Sequence, residues 1–164
     1  MARRVYFAFH YQSDISRVNV VRNCWLTHKD RDTAGFFDAS LWEKARRTGD
    51  SAIKNMILDG LEGTSVTAFL LGSETAHRPW VRYELEESHK RGNGLLAIRI
   101  HGIKNFAQQT SWPGPNIFDT FWTTNASGQR EYLSWSYRLY DWVSDNGYNN
   151  LGLWVEQAAT DAGR

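Results

Sequence analysis

A chain of 164 residues, 41% of them hydrophobic, suits one domain and can bury roughly 70% of the surface it exposes when unfolded, so it needs no covalent staples. Nineteen basic against 18 acidic residues leave a net charge of +1, which supplies no strong field for nucleic acid or a membrane surface. Cys24 is the only cysteine, so an intramolecular disulfide is excluded, in keeping with a reducing cytoplasm.

No apolar stretch approaches the length of a bilayer span, and the apolar run near the amino terminus is too short for a signal peptide, so a soluble cytoplasmic protein is expected. Aromatic residues make up 14% of the chain, and such rings serve equally as core filler or as stacking surface for a planar ligand. The short basic run Lys44, Arg46, Arg47 sits beside acids and reads as solvated surface.

The chain opens on Val5-Tyr6-Phe7-Ala8-Phe9, a continuous apolar run of the kind expected for a strand buried on both faces of a parallel sheet. Ser13 and Asp14 offer N-cap oxygens for a first helix carrying Ile15, Val18, Val21 and Trp25 at helical spacing. Gly35-Phe36-Phe37-Asp38 reads as a short second strand. Asp50 or Ser51 then caps a helix with Ile53, Met56, Ile57 and Leu61 inward and Gly63 as its stop. Val66 to Leu71 is a third strand. Pro79 suits the first turn of a third helix, where its missing N–H has no partner to lose, and that helix should end near Arg91 before Gly92-Asn93-Gly94. Leu95 to Ile100 is a fourth strand.

Residues 101–130 show no sustained period and hold Pro113 and Pro115, which predicts a long connection (103–131 at its narrowest) packed by its own aromatics. Leu133, Trp135, Tyr137 and Leu139 then alternate like an edge strand, although apolar residues at 132, 135, 139 and 142 also fit a helix. Asp145-Asn146-Gly147 signals a turn, and Asn150 caps a last helix with Leu151, Trp154, Val155 and Ala158 inward. Strands alternating with helices in this way argue for a single α/β domain over residues 1–164, with a parallel sheet covered on both faces.

In such sheets ligands sit beyond the carboxyl ends of the strands, where strand order reverses. That rule selects His10, Tyr11 and Gln12 after the first strand, Asp38, Ser40 and Trp42 after the second, and Gly72, Ser73 and Glu74 after the third. On the third helix, Glu86 has Lys90 four residues on and Glu87 has Arg91, both favourable surface pairs. Glu84 differs. Its same-face neighbours are Trp80 and Glu87, with no helical cation, which tends to raise a carboxylate's pKa and leave its lone pairs free. Val81, Leu85 and Ser88 form the adjacent stripe facing the sheet, so Glu84 is expected at the rim of the core. On this pattern alone an ordinary exposed glutamate is the favoured reading.

Trp80-Val81-Arg82-Tyr83-Glu84-Leu85, following a strand and a Ser/Thr-containing loop, resembles the signature of TIR domains, in which a tryptophan lies four residues before the glutamate that cleaves NAD. Residues 5–9 resemble their first strand. The runs at 35–42, 63–67 and 91–96 are similar to one bacterial branch, the TIR-like family that includes the NAD-consuming subunit of Thoeris antiphage systems. The resemblance covers roughly residues 3–105. It departs at Phe9-His10-Tyr11, where many TIR domains have a serine and an aromatic.

The resemblance implies a flavodoxin-like open sheet of five parallel strands in the order 2-1-3-4-5, with helices on both faces. It implies that Glu84 is the catalytic carboxylate of an NAD glycohydrolase or ADP-ribosyl cyclase. NAD is then the substrate, no separate cofactor is needed, and the product is a cyclic ADP-ribose-type signal. The leaving nicotinamide is already cationic, so a nearby carboxylate acts chiefly by stabilising the developing ribosyl cation.

Phe9, His10, Tyr11, Asp38, Ser40 and Trp42 are the implied substrate contacts. Tyr11 or Trp42 could stack on nicotinamide, and Asp38 and Ser40 could hydrogen-bond ribose or phosphate. Rim packing for Tyr11 and Trp42, a turn cap for Asp38 and a core role for Phe9 stay open beside those roles. Trp80 is read as packing that positions the helix. Self-assembly, a phage-derived trigger and an effector that senses the nucleotide product are the implied partners.

The segment after the first strand has no glycine, which argues against a dinucleotide-fingerprint dehydrogenase. The five histidines lack metal-ligand spacing, so no metal is expected. A non-catalytic TIR adaptor acting by homotypic or heterotypic assembly is the alternative; a receiver-like domain would need an acidic pair after the first strand, where only Asp14 is near.

Overall fold

The computed structural model describes residues 3–27, 31–35 and 39–164. Its core is a five-stranded sheet built from β1 (Arg3–Ala8), β2 (Arg31–Ala34), β3 (Val66–Leu71), β4 (Gly94–Arg99) and, after a long connection, β7 (Arg138–Asp141). The order is β2-β1-β3-β4-β7 and every pair is parallel. This is the flavodoxin-like arrangement the sequence led us to expect, with β7 as the fifth strand.

Two apolar layers flank the sheet. On one face, α1 (Tyr11–Leu26) and α5 (Gly147–Asp161) pack Val18, Val21, Trp25, Leu151 and Val155 against Val5, Phe7, Ala68 and Ile98. On the other, α2 (Ala39–Thr48), α3 (Asp50–Leu61) and α4 (Pro79–Lys90) bury Ala45, Ile57, Val81 and Leu85 against Tyr6, Phe69, Leu71 and Ala97. The alternation within each strand follows from the pleat, which sends successive side chains to opposite faces. It places Tyr6 on the α4 side.

Several boundaries differ from the sequence reading. The second strand lies four residues earlier: β2 ends at Ala34, and Gly35 turns in the left-handed region at φ +85°. The remainder of the expected strand, 36–38, lies outside the described residues. Helix α2 was not anticipated. Helix α1 starts at Tyr11 with His10 at its N-cap, so Ser13 and Asp14 fall inside its first turn rather than capping it. Asp14 is instead buried. It accepts a hydrogen bond from the Thr75 hydroxyl (3.2 Å) and lies 3.7 Å from the Arg17 guanidinium.

Helix α5 begins at Gly147, three residues before the proposed Asn150 cap, although its inward residues are the expected ones. The alternating run 133–139 divides into a 3-10 turn, Leu133–Trp135, and the start of β7. On α4, Lys90 Nζ lies 3.2 Å from both Glu86 and Glu87, while Arg91 pairs with Glu62 rather than Glu87.

The connection is more ordered than its composition suggested. It holds a 3-10 turn, Ile117–Thr120, and an antiparallel hairpin of β5 (Trp122–Thr124) and β6 (Arg130–Tyr132). Nor is it packed chiefly by its own rings. Phe118 is fully buried edge-on against Phe69 of β3, whereas Phe106 and Trp112 are each 85% exposed. Arg17 fastens its start, donating to the carbonyls of Ile103 and Gln109. Among the described residues no helix is long and apolar enough to cross a membrane.

Close backbone approach sets how α5 sits on the sheet. A Cβ at Gly94 would lie 2.3 Å from the Ala158 carbonyl oxygen, and neither backbone can yield cheaply. Gly94→Ala should therefore lower stability by roughly 1–3 kcal/mol, read as a fall in urea midpoint; an unchanged midpoint would show that α5 can shift freely.

Candidate active site

Beyond the carboxyl end of β1, the start of α1 meets residues of α2, α3 and the first turns of α4 around a cavity of about 270 Å³. Its lining includes Phe9, His10, Tyr11, Trp42, Arg46, Arg78, Trp80 and Glu84. The convergence has local causes. Arg78 is extended, as the residue before a proline tends to be. Pro79 then opens α4, and Glu84 follows five residues on, about one and a half turns into the helix.

Glu84 is only 7% exposed, and its Oε1 accepts a 2.7 Å hydrogen bond from the Tyr6 hydroxyl. Burial raises its pKa from 4.5 to about 8, against the opposing pull of that hydrogen bond, which favours the ionised form. The cause is thus desolvation rather than Glu87, whose carboxylate turns to Lys90. The Tyr6 phenol is pushed up in turn, by burial first and then by the adjacent carboxylate. His10 is pushed down by burial and by Arg78, which keeps its imidazole neutral near pH 7; its Nδ1 lies 2.6 Å from the Ser13 hydroxyl.

Of the substrate contacts inferred from the sequence, Phe9, His10, Tyr11 and Trp42 line this cavity together with Glu84. Phe9 and Trp42 are partly buried against opposite core layers, so packing and cavity wall are compatible roles for each. Ser40 is exposed on α2 and is not among the lining residues. Asp38 lies outside the described residues.

Tyr6, Arg46 and Arg78 are not among the site residues expected from the sequence. A tyrosine inside a doubly buried strand needs a partner for its hydroxyl, which was a usable signal. Arg46, first read as solvated surface, reaches the cavity because α2 exists; Arg46 and Arg47 in a last turn before Gly49, which adopts φ +126°, are a recognisable helix end. Trp80, read as packing, lies edge-on to Tyr83 and also lines the cavity.

A second concavity, about 350 Å³, lies at the amino ends of β4 and β7 and is lined by Arg138, Tyr140, Trp154 and Asp161 among others. Open parallel sheets bind ligands at the other end, where fixed dipoles and loops converge. Among the described residues no group of three or more His, Cys, Asp or Glu side chains is placed to hold a metal ion.

Comparison with known proteins identifies the family. The family described as Thoeris protein ThsB, TIR-like domain, matches residues 6–105. The chain belongs to that family. A protein of Bacillus cereus (strain MSX-D12) named "Putative cyclic ADP-D-ribose synthase ThsB1" is 41% identical over 191 aligned residues, spanning 94% of this chain and 100% of that protein. The family match takes in Tyr6, the cavity-lining residues and Glu84, and leaves the hairpin, β7 and α5 outside it.

Glu84 leaves a thermodynamic signature. Its folded pKa lies above its unfolded value, so its contribution to stability is fully present below pH 4.5 and is lost as pH rises to about 8. Glu84→Gln keeps the shape and removes the charge. Urea unfolding should show the variant more stable than wild type at pH 9, by on the order of a few kcal/mol, with the gap shrinking as pH falls towards 5. A gap independent of pH would mean that the carboxyl is not desolvated.

Proposed function

We propose that this protein cleaves NAD at the bond between nicotinamide and ribose, and that it closes the ADP-ribosyl group into a cyclic ADP-ribose-type signal in Thoeris antiphage defence. The observation that carries the proposal is a desolvated carboxyl, Glu84, lining an aromatic-walled cavity at the ligand end of a TIR-like sheet. The name of the Bacillus cereus relative points the same way.

In this reading the nicotinamide riboside portion enters the cavity, with Tyr11 and Trp42 as its aromatic walls. As the C–N glycosidic bond breaks, its electron pair returns to the nicotinamide ring and neutralises it. Positive charge then develops on the ribose, where ionised Glu84, itself buried, opposes it at short range. Attack by an adenine ring nitrogen of the same molecule closes the cyclic product and moves the positive charge onto the adenine, whose exocyclic amine can then release a proton; attack by water, with loss of a proton, gives ADP-ribose.

At about 270 Å³ the cavity is smaller than the roughly 300–1,000 Å³ usual for drug-sized ligands, and a dinucleotide is larger still. The diphosphate should therefore emerge at the rim, where Arg46 and Arg78 can meet it. Both arginines already have exposed acidic neighbours, Glu43 at 3.7 Å and Glu74 at 2.7 Å. Such pairs are weak enough to exchange for a phosphate.

With a pKa of about 8, only roughly a tenth of free protein has Glu84 ionised at pH 7. The cationic nicotinamide favours ionisation, so binding should release a proton. Mass spectrometry of NAD incubated with wild type should show free nicotinamide and a cyclised product, with Glu84→Gln slower by roughly 10²- to 10³-fold. For wild type, kcat/KM should rise with pH and level off above about 8. Wild type and variant both inert under phage challenge would point instead to an assembly adaptor.

Arg46→Ala should raise KM by roughly three- to tenfold without lowering kcat, an effect that shrinks in high salt as exposed charges are screened. An unchanged KM at low salt would remove Arg46 from the diphosphate site.

A further inference from the structure

Tyr6 is fully buried in β1 among apolar neighbours, where a hydroxyl is costly unless bonded. Among the described residues the side chain that hydrogen-bonds Glu84 is Tyr6, through Oε1; Oε2 has no partner there. The phenol is also held in place from behind. Gly35, in its left-handed turn after β2, lies so close that a Cβ would sit 3.1 Å from Tyr6 Cζ and 2.4 Å from the Phe7 carbonyl oxygen. The ring atom that carries the hydroxyl is thus backed by chain that only glycine can supply.

We propose that Tyr6 is a positioning residue for the reaction: its phenol clamps one oxygen of Glu84 so that the carboxylate presents the other to the ribose. This role rests on the NAD-cleaving reading. It gives β1 a part in the chemistry and makes the turn at Gly35 part of the same assembly. A carboxyl carried on three rotatable bonds is free to turn unless one oxygen is tied, and reactivity depends on holding it within a fraction of an ångström of its working position.

The other titratable or charged groups lining this cavity are His10 and Tyr11 from the start of α1, Arg46 from α2 and Arg78 ahead of α4. None is recorded in a hydrogen bond with Glu84, so changing Tyr6 isolates one interaction.

Tyr6→Phe removes the hydroxyl and keeps the ring. In protein ¹³C-labelled at the Glu84 carboxyl, its titration midpoint should move up by about half a unit or more, because a donor to the ionised form is lost. The kcat for NAD should fall roughly ten- to hundredfold with KM changed by less than about twofold. Replacing Tyr6 with 3-fluorotyrosine, a stronger donor of nearly the same size, should move the midpoint down, and this provides the test if the phenylalanine variant fails to fold.

An active wild type whose folded Tyr6→Phe variant keeps its midpoint, or keeps its kcat despite a shifted midpoint, overturns the role of Tyr6 alone. A wild type that leaves NAD intact overturns the NAD-cleaving reading and this role with it.

Discussion

A single hydrogen bond across the interface between sheet and helix, from the Tyr6 hydroxyl to the Glu84 carboxyl, sets the character of this site. Both groups are withdrawn from water, and each alone would be an expensive thing to bury. Together they form a polar pair inside an apolar layer made of Ala8, Phe69, Val81 and Leu85. Desolvation outweighs the hydrogen bond, so the carboxyl stays largely neutral until something positive arrives. In the proposed reaction the cationic nicotinamide of NAD is such a partner, and its departure leaves the charge where the carboxylate can oppose it.

The fold makes that pairing available through its handedness and layering. Parallel strands deliver their carboxyl ends to one edge, and the connections between them gather there. On that edge two polar devices lie on opposite faces of the sheet. Tyr6 and Glu84 occupy the α4 face. Asp14, Thr75 and Arg17 occupy the α1 side, where Asp14 is buried against the turn after β3 and Arg17 grips the connection. A Cβ at Gly72 would lie 2.3 Å from the Asp14 carboxylate, so the turn after β3 is seated tightly on this network. The loops beside the cavity are thereby held by buried polar contacts rather than by apolar packing alone.

Much of the molecule could be read from residue patterns. Strand β3, the apolar runs of β1 and β4, the Pro79 start of α4 and the inward stripes of α3, α4 and α5 all follow from local period and cap chemistry, which act within a few residues. The placement of Glu84 followed from helical geometry: Val81, Leu85 and Ser88 had to face the sheet, and a residue beside that stripe had to lie at its edge. Strand β2 was displaced because Phe36 and Phe37 drew attention away from Arg31–Ala34, a strand with little apolar signal that pairs through its backbone at the sheet edge. Helix α2 escaped because its buried stripe is thin, essentially Trp42 and Ala45.

Sequence by itself determined the alternating architecture through short-range spacing, and its resemblance to TIR domains pointed to the family and to Glu84, which spacing alone left as an ordinary glutamate. Tertiary structure decided what that carboxylate touches. Tyr6 and Glu84 are 78 positions apart, and no local pattern specifies that β1 and α4 share a face at that register. Desolvation, likewise, is a property of everything packed around a group. Glu87, a same-face neighbour along the helix, is not among the causes of the raised pKa, while a strand residue that reads as plain core is the carboxylate's partner.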